Sequence, residues 1–379
     1  MTVTALIVAA GKGERLGDGL PKQYRMLGRK PVLRRAVEAL ASHPAIAAVR
    51  VVVGAGQQAL ASEALKGLEV GELIEGGAER ADSVRAGLRL SQGDAIMVHD
   101  AARPFCPPAV IDRLLAPLEF FDGAAPILPV GDTLAKASDR IDAPIDRAGI
   151  VRVQTPQAFR FAALKSAYEN WQGDSPTDET TVARAAGLSV AAVQGDPALE
   201  KITAPGDFER AEQWLASRLT PRTGMGFDVH GFAGEGPLML GGIAIPHHRG
   251  LAGHSDADVV LHAITDALLG AAGLGDIGEH FPPSDPQWKG AASAQFLAHA
   301  AHLIWERGGA IDHVDCTIIC ESPRIGPHRE QMRARIADIL ELKPASVSIK
   351  ATTTEGLGFT GRGEGIAAQA VANIRLEII

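Results

Sequence analysis

Asp228, His230 and His262 are the residues whose types and spacing most directly indicate metal chemistry. Asp228 and His230 lie two residues apart, so on an extended segment both side chains point to the same side. One carboxylate and two imidazoles are three ligands that leave a fourth zinc position open, as a catalytic site requires. The alternative is three unrelated polar residues, since a single histidine is more often structural than metal-bound.

The element that must bring His262 to this set is a helix. The segment 258–272 has helical apolar spacing, and Ser255 and Asp256 are candidate caps just before it. His262 would then lie one turn into the helix, which could pack against the end of the strand that carries the Asp-Val-His sequence.

Composition limits the classes of function. The chain has 379 residues, which favours two or three domains. Its net charge is −8 with no long basic run, which argues against non-specific nucleic-acid binding. The three cysteines do not make a disulfide framework. No segment has the features of a membrane span or of a signal peptide, and we expect a cytoplasmic protein.

The first half alternates strand-like and helical segments, which predicts an α/β fold with a mostly parallel sheet covered on both faces. Ligands of such sheets bind at the carboxyl ends of the strands. The strand-like runs are 4–10, 50–55, 95–100 and 125–130, and the helical ones are 32–43, 82–91 and 108–120.

The loop after the first strand has the composition of a phosphate site. Its glycines allow backbone amides to approach phosphates, and Arg15 and Lys22 could neutralise a triphosphate. The spacing fits neither a Walker A loop nor a dinucleotide fingerprint. A second glycine pattern, at 54–59, could indicate nicotinamide binding, but such patterns are common in α/β loops.

Asp100 ends the third strand-like run. A carboxylate at this end of a strand, near phosphate-binding cations, is well placed to hold Mg²⁺. The alternative is that Asp100 caps the helix after Pro108, but that helix begins several residues later. Lys201 would count as a solvated lysine without further evidence.

The first half contains the motifs LIVAAGKGERLG, LPKQY, GGAERADSVRAGL, VHDAARP, DTL, DRAG, TPQAF, PTDET and LEKIT. In these motifs it resembles 2-C-methyl-D-erythritol 4-phosphate cytidylyltransferase over residues 3–218. The resemblance implies a Rossmann-like nucleotidyltransferase domain that binds CTP with Mg²⁺ or Mn²⁺. Ala78 departs from relatives that carry Asp beside the base, which puts one polar contact in doubt.

This resemblance also implies roles for individual residues. Gly11, Arg15 and Lys22 would bind the triphosphate, Gly77 and Ser83 the cytosine and ribose region, and Asp100 the magnesium ion. The sugar-alcohol phosphate would be received by Arg103, Thr133, Arg147, Thr155 and Lys201. Those expected to act in catalysis are Arg15, Lys22, Arg147 and Lys201.

The second half contains the motifs GMGFDVHGF, LMLGGIAIP, GLAGHSDADVVLHAITDALLGAAGLGDIGEHFPPSD, DCTIICESPRIG and KATTTEGLGFTGRGEGIAAQAVA. From about Thr223 to the end it resembles 2-C-methyl-D-erythritol 2,4-cyclodiphosphate synthase. The resemblance implies a smaller α/β domain that trimerises and holds Zn²⁺ on Asp228, His230 and His262. Pro283 stands where some relatives have Asp, which affects a minor contact.

Further roles follow from the second resemblance. Thr353 and Glu355 would be catalytic, with Glu355 a ligand of a second cation at the diphosphate. The segment 366–376 is expected to be a helix whose start completes an anion-binding cradle. The expected substrate-binding residues are His254, Asp276, Ile277, Gly278, Phe281, Asp285, Arg324, Thr352, Phe359 and Arg362.

Together the resemblances imply two steps of the non-mevalonate route to isoprenoid precursors. The first joins CTP to 2-C-methyl-D-erythritol 4-phosphate. The second converts the 2-phosphorylated cytidine diphosphate derivative into a cyclic diphosphate with release of CMP. A kinase must act between them, so it could dock on this protein.

The resemblances also imply an assembly and a division of the chain. A dimeric first domain and a trimeric second domain on one chain predict a hexamer. The expected domains are residues 1–219 and 224–379, with a linker at 220–223. Two alternatives remain: a nucleotidyltransferase for another substrate fused to a zinc hydrolase, and a non-catalytic cytidine-nucleotide sensor.

Overall fold

A computed structural model describes residues 1–11, 19–282 and 284–377. The chain divides into two compact units, Met1–Gln213 and Trp214–Ile379. Arg15 and Pro283, both singled out in the sequence, lie outside the described residues. Within the described ranges, no helix is both long and apolar enough to cross a bilayer.

The first unit is built on one large sheet with helices on both faces. The sheet order is β10-β7-β11-β6-β1-β4-β5, with β12 pairing to β7. The strands of this unit are β1 Val3–Ala9, β2 Met26–Leu27, β3 Lys30–Pro31, β4 Ile46–Val53, β5 Ile74–Glu75, β6 Ala95–Asp100, β7 Gly123–Pro129, β8 Leu134–Ala137, β9 Ile141–Ile145, β10 Val151–Val153, β11 Gln157–Arg160 and β12 Val190–Gln194. Of these, β2 pairs with β3 and β8 with β9 in two separate two-stranded sheets. The helices are α1 Val32–Ala41, α2 Gln58–Ala64, α3 Arg80–Leu90, α4 Pro108–Leu115, α5 Phe161–Glu169, α6 Glu179–Ala185 and α7 Pro205–Arg218.

The centre of this sheet is parallel and apolar because both of its faces are covered. β1 pairs in parallel with β4 and β6, whereas β11 is antiparallel to β6 and β7. Along β1, Ala5 and Ile7 belong to one apolar cluster, and Leu6 belongs to the cluster on the opposite face. A strand whose two faces pack into two apolar clusters has a continuous apolar sequence. The predicted α/β fold is confirmed.

The second unit contains a five-stranded sheet in the order β16-β13-β19-β17-β18. Its strands are β13 Leu219–Ala233, β14 Leu238–Leu240, β15 Ile243–Ile245, β16 Gly250–Leu251, β17 Ala310–Ile319, β18 Val347–Thr352 and β19 Gly365–Glu377. Its helices are α8 Val259–Ala272, α9 Ile277–His280, α10 Ser293–Glu306, α11 Arg329–Ile339 and α12 Gly358–Gly361. Residues 220–223, the expected linker, lie inside β13 and pair with residues 373–376 of β19.

The helix predicted over 366–376 is wrong, because this segment forms most of strand β19. Alanine-rich sequence favours helix in isolation. Here, however, the backbone pairs with β13 on one side and with β17 on the other. Tertiary pairing therefore overrides local propensity, and no helix N-terminus lies at this point.

Glycines in β13 allow helix α8 to approach the sheet closely. A Cβ on Gly224 would lie 2.1 Å from the Ala267 carbonyl oxygen, and one on Gly226 would lie 2.0 Å from that of Ala263. Real Cβ atoms do not come this close, so only glycine permits this distance between strand and helix. The approach matters for function because Asp228 and His230 follow on the same face of β13.

We expect Gly226→Ala to destabilise the second unit by about 1–3 kcal/mol, because the new methyl group must push α8 away from β13. Calorimetric unfolding of the full chain measures the effect. Gly270→Ala is the matched control: this exposed helical glycine has open space around its Cβ position. We expect it to stabilise the protein by about 0.5–1 kcal/mol. Equal stability of the two variants would contradict the close-approach argument.

Candidate active sites

The first unit has a cavity of about 790 Å³ at the carboxyl ends of β1, β4 and β6. Six predicted residues line it: Gly11, Lys22, Gly77, Ser83, Asp100 and Lys201. Gly54 and Gln57 line it as well, so the second glycine pattern belongs to the same cavity and does not form a separate nucleotide site. Arg15, expected here, lies outside the described residues.

Hydrogen bonds to backbone carbonyl oxygens position the polar groups of this cavity. Gln23 donates to the carbonyl oxygens of Ala9 (2.8 Å) and Gly11 (2.9 Å), which holds the Lys22–Tyr24 turn against the end of β1. Lys22 Nζ donates to the Ile202 carbonyl oxygen at 2.8 Å, next to Lys201. Two lysines from distant parts of the chain therefore lie at one end of the sheet.

Asp100 is the central charge of this cavity. Arg80 Nε donates to its Oδ1 at 3.0 Å, and Lys201 Nζ donates to its Oδ2 at 2.7 Å. Burial alone would raise the pKa of Asp100, but Arg80 and Lys201 hold that pKa well below its ordinary value. The carboxylate is therefore ionised at neutral pH. It does not cap α4, whose N-cap is Pro107.

His99 and Thr155 fix Asp100 from behind. Burial lowers the pKa of His99 to about 4, so the ring is neutral at pH 7. Its Nε2 lies 2.9 Å from the Arg103 carbonyl oxygen, which assigns the ring proton to Nε2 and leaves Nδ1 to accept from the Thr155 hydroxyl. The Asp100 backbone N–H donates to Thr155 Oγ1 at 3.1 Å. Thr155 thus orders the site from inside the fold.

The donor set at Asp100 fits a divalent cation. A carboxylate offers about four lone-pair sites, and Arg80 and Lys201 occupy one on each oxygen. The buried Nε of Arg103 lacks a hydrogen-bond partner within the described chain and lies 3.9 Å from Asp100 Oδ2. Two lone-pair sites of the carboxylate thus stay open for a cation, and the surrounding positive side chains suit the several negative charges of a ligand bound with it.

Four predicted residues of the first half are absent from the lining of this cavity. One is Thr155, whose hydroxyl oxygen accepts from the Asp100 backbone N–H. Arg103 donates to the Leu199 carbonyl oxygen beneath the cavity. Thr133 precedes β8, and Arg147 follows β9 on an exposed hairpin, where it donates to the Gly131 carbonyl oxygen. Within one chain, this hairpin does not complete the site.

Sequence reasoning missed Arg80 and Glu179. Arg80 lines the cavity and binds both Asp100 and Glu179. Glu179 is buried beside it, and its position 79 residues after Asp100 carries no local signal. Both residues stand inside quoted motifs, GGAERADSVRAGL and PTDET, which was the only available hint.

In the second unit, the three predicted metal ligands converge. Asp228 Oδ2 lies 3.0 Å from both His230 Nε2 and His262 Nδ1, and the two nitrogens are 3.1 Å apart. Ligand atoms of a tetrahedral zinc ion are separated by about 3.3 Å, given bonds of about 2.0 Å. The triangle therefore fits a tetrahedral cation. Among the described residues, it is the one cluster of this kind.

The surrounding contacts aim both imidazoles at the centre of the triangle. His230 Nδ1 donates to the Ala252 carbonyl oxygen at 2.6 Å, which leaves the lone pair of Nε2 for the metal. His262 Nε2 lies 2.8 Å from Ser293 Oγ, so its Nδ1 faces Asp228. Such outer hydrogen bonds fix the ring orientation of metal ligands.

The charge state of the triad also suits a cation. Burial tends to raise the pKa of Asp228, but hydrogen bonds from His230 and His262 hold it below its ordinary value. Burial tends to lower the pKa of His230, but its hydrogen bond to Asp228 raises it overall.

Helix α8 begins differently from the prediction. Its cap is Asp258, which is fully buried and accepts from the N–H groups of Val260 and Leu261, both at 3.1 Å. Ser255 contacts His262 Nε2 at 3.1 Å instead, and Asp256 accepts from Ser293 Oγ. The residues expected to cap the helix therefore support the candidate ligand His262, Ser255 directly and Asp256 through Ser293.

In the loop after α8, the backbone amides of two predicted substrate-binding residues have partners within the chain. Ile277 N–H donates to Asp266, and Gly278 N–H donates to Asp276, the cap of α9. Phe281 packs in an aromatic cluster with Phe296 and Trp288 near the triad. Asp285 caps the turn at Pro286–Trp288, and His254 is exposed.

The remaining predicted residues lie in the same row across the sheet as the triad, but three strands away from it. Val229 pairs with Ala367, Ala367 with Ile319, and Ile319 with Thr352. Three strand spacings put Thr352 about 14 Å from the triad strand. Thr353 donates to Glu355 at 2.7 Å, and the exposed residues Arg324, Phe359 and Arg362 belong to this second group. Within one chain, this second group is therefore separate from the triad.

Two family models together match almost the whole chain. The model described as 2-C-methyl-D-erythritol 4-phosphate cytidylyltransferase matches residues 3–217, and the YgbB family model matches residues 221–375. A bifunctional enzyme IspD/IspF of Rhizorhabdus wittichii is 58% identical over 379 residues, covering 100% of this chain and 99% of the relative. One of Novosphingobium aromaticivorans is 51% identical, covering 98% and 97%.

The chain belongs to the bifunctional IspD/IspF family. It is an enzyme of isoprenoid biosynthesis in which a cytidylyltransferase domain is followed by a cyclodiphosphate synthase domain. The solved bifunctional IspDF of Campylobacter jejuni is 33% identical, with 99% of each chain covered and a TM-score of 0.49. Membership favours two catalytic domains over a non-catalytic sensor or a fusion with an unrelated zinc hydrolase.

We expect His262→Ala to lose the metal of the second unit, because the change removes one of three converging ligands. Elemental analysis of the purified full chain measures bound metal. His302→Ala is the control, since His302 is an exposed helical histidine that pairs with Glu306 away from the triad. Retention of a full equivalent of metal by His262→Ala would show that the triad is not the metal site.

Proposed function

We propose that residues 1–219 transfer a cytidylyl group from CTP to 2-C-methyl-D-erythritol 4-phosphate. A phosphate oxygen of the substrate forms a bond to the α-phosphorus, and the bond to the β-phosphate breaks to release pyrophosphate. The attacking phosphate is already a nucleophile, so no general base is needed. The observation that carries this proposal is the ion cluster of Asp100, Arg80 and Lys201 at the floor of the cavity.

Lys22 and Lys201 stabilise the charge that develops on the α-phosphate and on the leaving pyrophosphate. Gly11 brings backbone close to the triphosphate, and Gly77 and Ser83 line the part of the cavity suited to cytosine and ribose. Arg15 completes the cationic set. Mg²⁺ or Mn²⁺ held at Asp100 supplies further positive charge when bound.

We further propose that residues 224–379 cyclise 4-diphosphocytidyl-2-C-methyl-D-erythritol 2-phosphate. An oxygen of the 2-phosphate bonds to the β-phosphorus, and CMP leaves with the electrons of the broken bond. The oxygen-and-nitrogen triad suits Zn²⁺, which would polarise the diphosphate. Thr353 and Glu355 orient the substrate from the second group of residues, and Glu355 would contact a second cation.

The assembly follows from surfaces that one chain leaves open. The face of β13 opposite α8 exposes Met225 (62%), Phe227 (53%) and Val229 (37%), which alternate along the strand. Burying this apolar row against other copies supports a trimer in which the triad of one subunit meets the Thr353 group of the next. The hairpin of β8 and β9 exposes Ile141 (81%), which supports a dimer that exchanges this arm.

Lys22→Ala should lower cytidylyl transfer by about two to three powers of ten, because it removes a cation that stabilises transition-state charge. Pyrophosphate release at saturating CTP measures the first activity. Cyclisation by the same preparation should be unchanged, which shows that the protein is folded. Lys66→Ala, at an exposed lysine outside the cavity, is the matched control. An unchanged rate for Lys22→Ala would exclude Lys22 from the catalytic set.

A dimeric and a trimeric domain on one chain close together as a hexamer with three twofold axes and one threefold axis. Light scattering should therefore give a mass about six times that of the 39.6 kDa chain. Phe227→Lys should split the assembly into dimers, because it places charge on the apolar face of β13. These dimers should keep cytidylyl transfer and lose cyclisation. A wild-type trimer with full cytidylyl transfer would contradict the exchanged arm.

A further inference from the structure

Glu179 is a fully buried carboxylate that lies outside the substrate cavity. Its exposed fraction is 0%, and it stands at the first position of α6. Arg80 Nη1 and Nη2 donate to its two oxygens at 2.6 and 3.0 Å, and the Tyr168 hydroxyl donates to Oε1 at 3.2 Å. A buried charge with this many partners is held in one place.

Arg80 connects this carboxylate to the active site. Its terminal nitrogens bind Glu179, and its Nε binds Asp100 Oδ1 at 3.0 Å. A guanidinium is planar and rigid, so fixing one edge against Glu179 fixes the direction of Nε. Glu179 therefore sets the position of the Asp100 carboxylate without touching it.

The remaining contacts of this region hold Glu179 itself. Asp178 caps α6 by accepting from the Thr181 N–H at 3.0 Å, and Gln157 of β11 donates to Asp178 at 3.1 Å. Gln157 also accepts from the Thr180 N–H at 3.2 Å. The start of α6 is thereby attached to the strand next to β6, which carries Asp100.

The charges explain why a second carboxylate is needed. Asp100 has Arg80 and Lys201 as direct partners, and Arg103 lies 3.9 Å away. With all three cations directed at a single carboxylate, that carboxylate would be a poor ligand for a further positive ion. Glu179 neutralises Arg80, so the negative charge of Asp100 remains effective toward the cavity.

We propose that Glu179 is a positioning residue for cytidylyl transfer, which orients and neutralises Arg80 so that Asp100 can bind the divalent cation that accompanies CTP. The proposal rests on the proposed cation site at Asp100. Tyr168 assists only by donating one hydrogen bond to Glu179. Of these three residues only Arg80 lines the cavity, and Glu179 and Tyr168 act through it.

The test is cation binding by the full-length protein with its second site loaded with Zn²⁺. Mn²⁺ is titrated in the presence of CTP and without the sugar-alcohol substrate, and bound Mn²⁺ is followed by electron paramagnetic resonance. Asp100→Asn defines the part of the signal that belongs to the first domain. Glu179→Gln should raise the dissociation constant of that Mn²⁺ about 10- to 100-fold, as expected for a residue that supports a metal ligand. Tyr168→Phe, which keeps both charges, should change it by no more than about threefold.

The Mg²⁺ dependence of pyrophosphate release provides a second test. For Glu179→Gln, the Mg²⁺ concentration that half-activates pyrophosphate release should rise by the same factor, and saturating Mg²⁺ should recover most of kcat. A residue that only stabilises the fold would lower the amount of active enzyme and leave the Mg²⁺ dependence unchanged. Cyclisation by the same sample confirms that the second domain is intact.

A further variant covers the case in which Glu179→Gln does not fold. Arg80→Lys keeps the charge but cannot bind Glu179 and Asp100 through a rigid fork, so it should weaken Mn²⁺ binding to a similar extent. Wild-type Mn²⁺ affinity in Glu179→Gln, or in Arg80→Lys if only that variant folds, overturns the inference. Wild-type affinity in Asp100→Asn instead overturns the proposed cation site.

Discussion

Removing a carboxylate from water costs several kcal/mol unless other groups meet its charge, and both halves of this chain hold buried or half-buried carboxylates. Asp100 ends β6, Asp228 lies within β13, and Asp258 caps α8. Asp100 is paired with Arg80 and Lys201. Asp228 is paired with two histidines. Asp258 accepts from backbone N–H groups, including those of Gly241 and Gly242. The positions of the catalytic groups follow from how each of these charges is satisfied.

The two domains compensate the charge of their carboxylates with different groups. The first surrounds Asp100 with long cationic side chains from separate elements, so the site forms only when β6, α3 and the 199–203 segment have assembled. The second uses short side chains on a strand and a helix held close by glycine. Its geometry is set by backbone approach, which suits a compact metal centre with ligand atoms about 3 Å apart.

Much of this could be predicted from sequence where the signal was local. The buried strands and the segment 258–272 have clear periodicity, and the Asp-Val-His spacing placed two ligands on one face. The helix predicted over 366–376 was wrong because the alanines of this segment favour helix in isolation, whereas pairing with β13 and β17 makes it a central strand. The caps of α8 were misassigned by two or three residues, since several acidic and hydroxyl side chains competed for that role.

The sequence by itself determined the family, the order of the two domains and the choice of Asp228, His230 and His262 as the candidate metal triad, because these depend on residue types at short spacings and on long motifs. Only the tertiary structure decided that Arg80 and Glu179 support Asp100. It also decided that Thr352 lies three strands from the strand of Asp228, near the same row across the sheet. These relations join residues far apart in the chain. They arise from sheet order and from the pairing of buried charges, which no local pattern encodes.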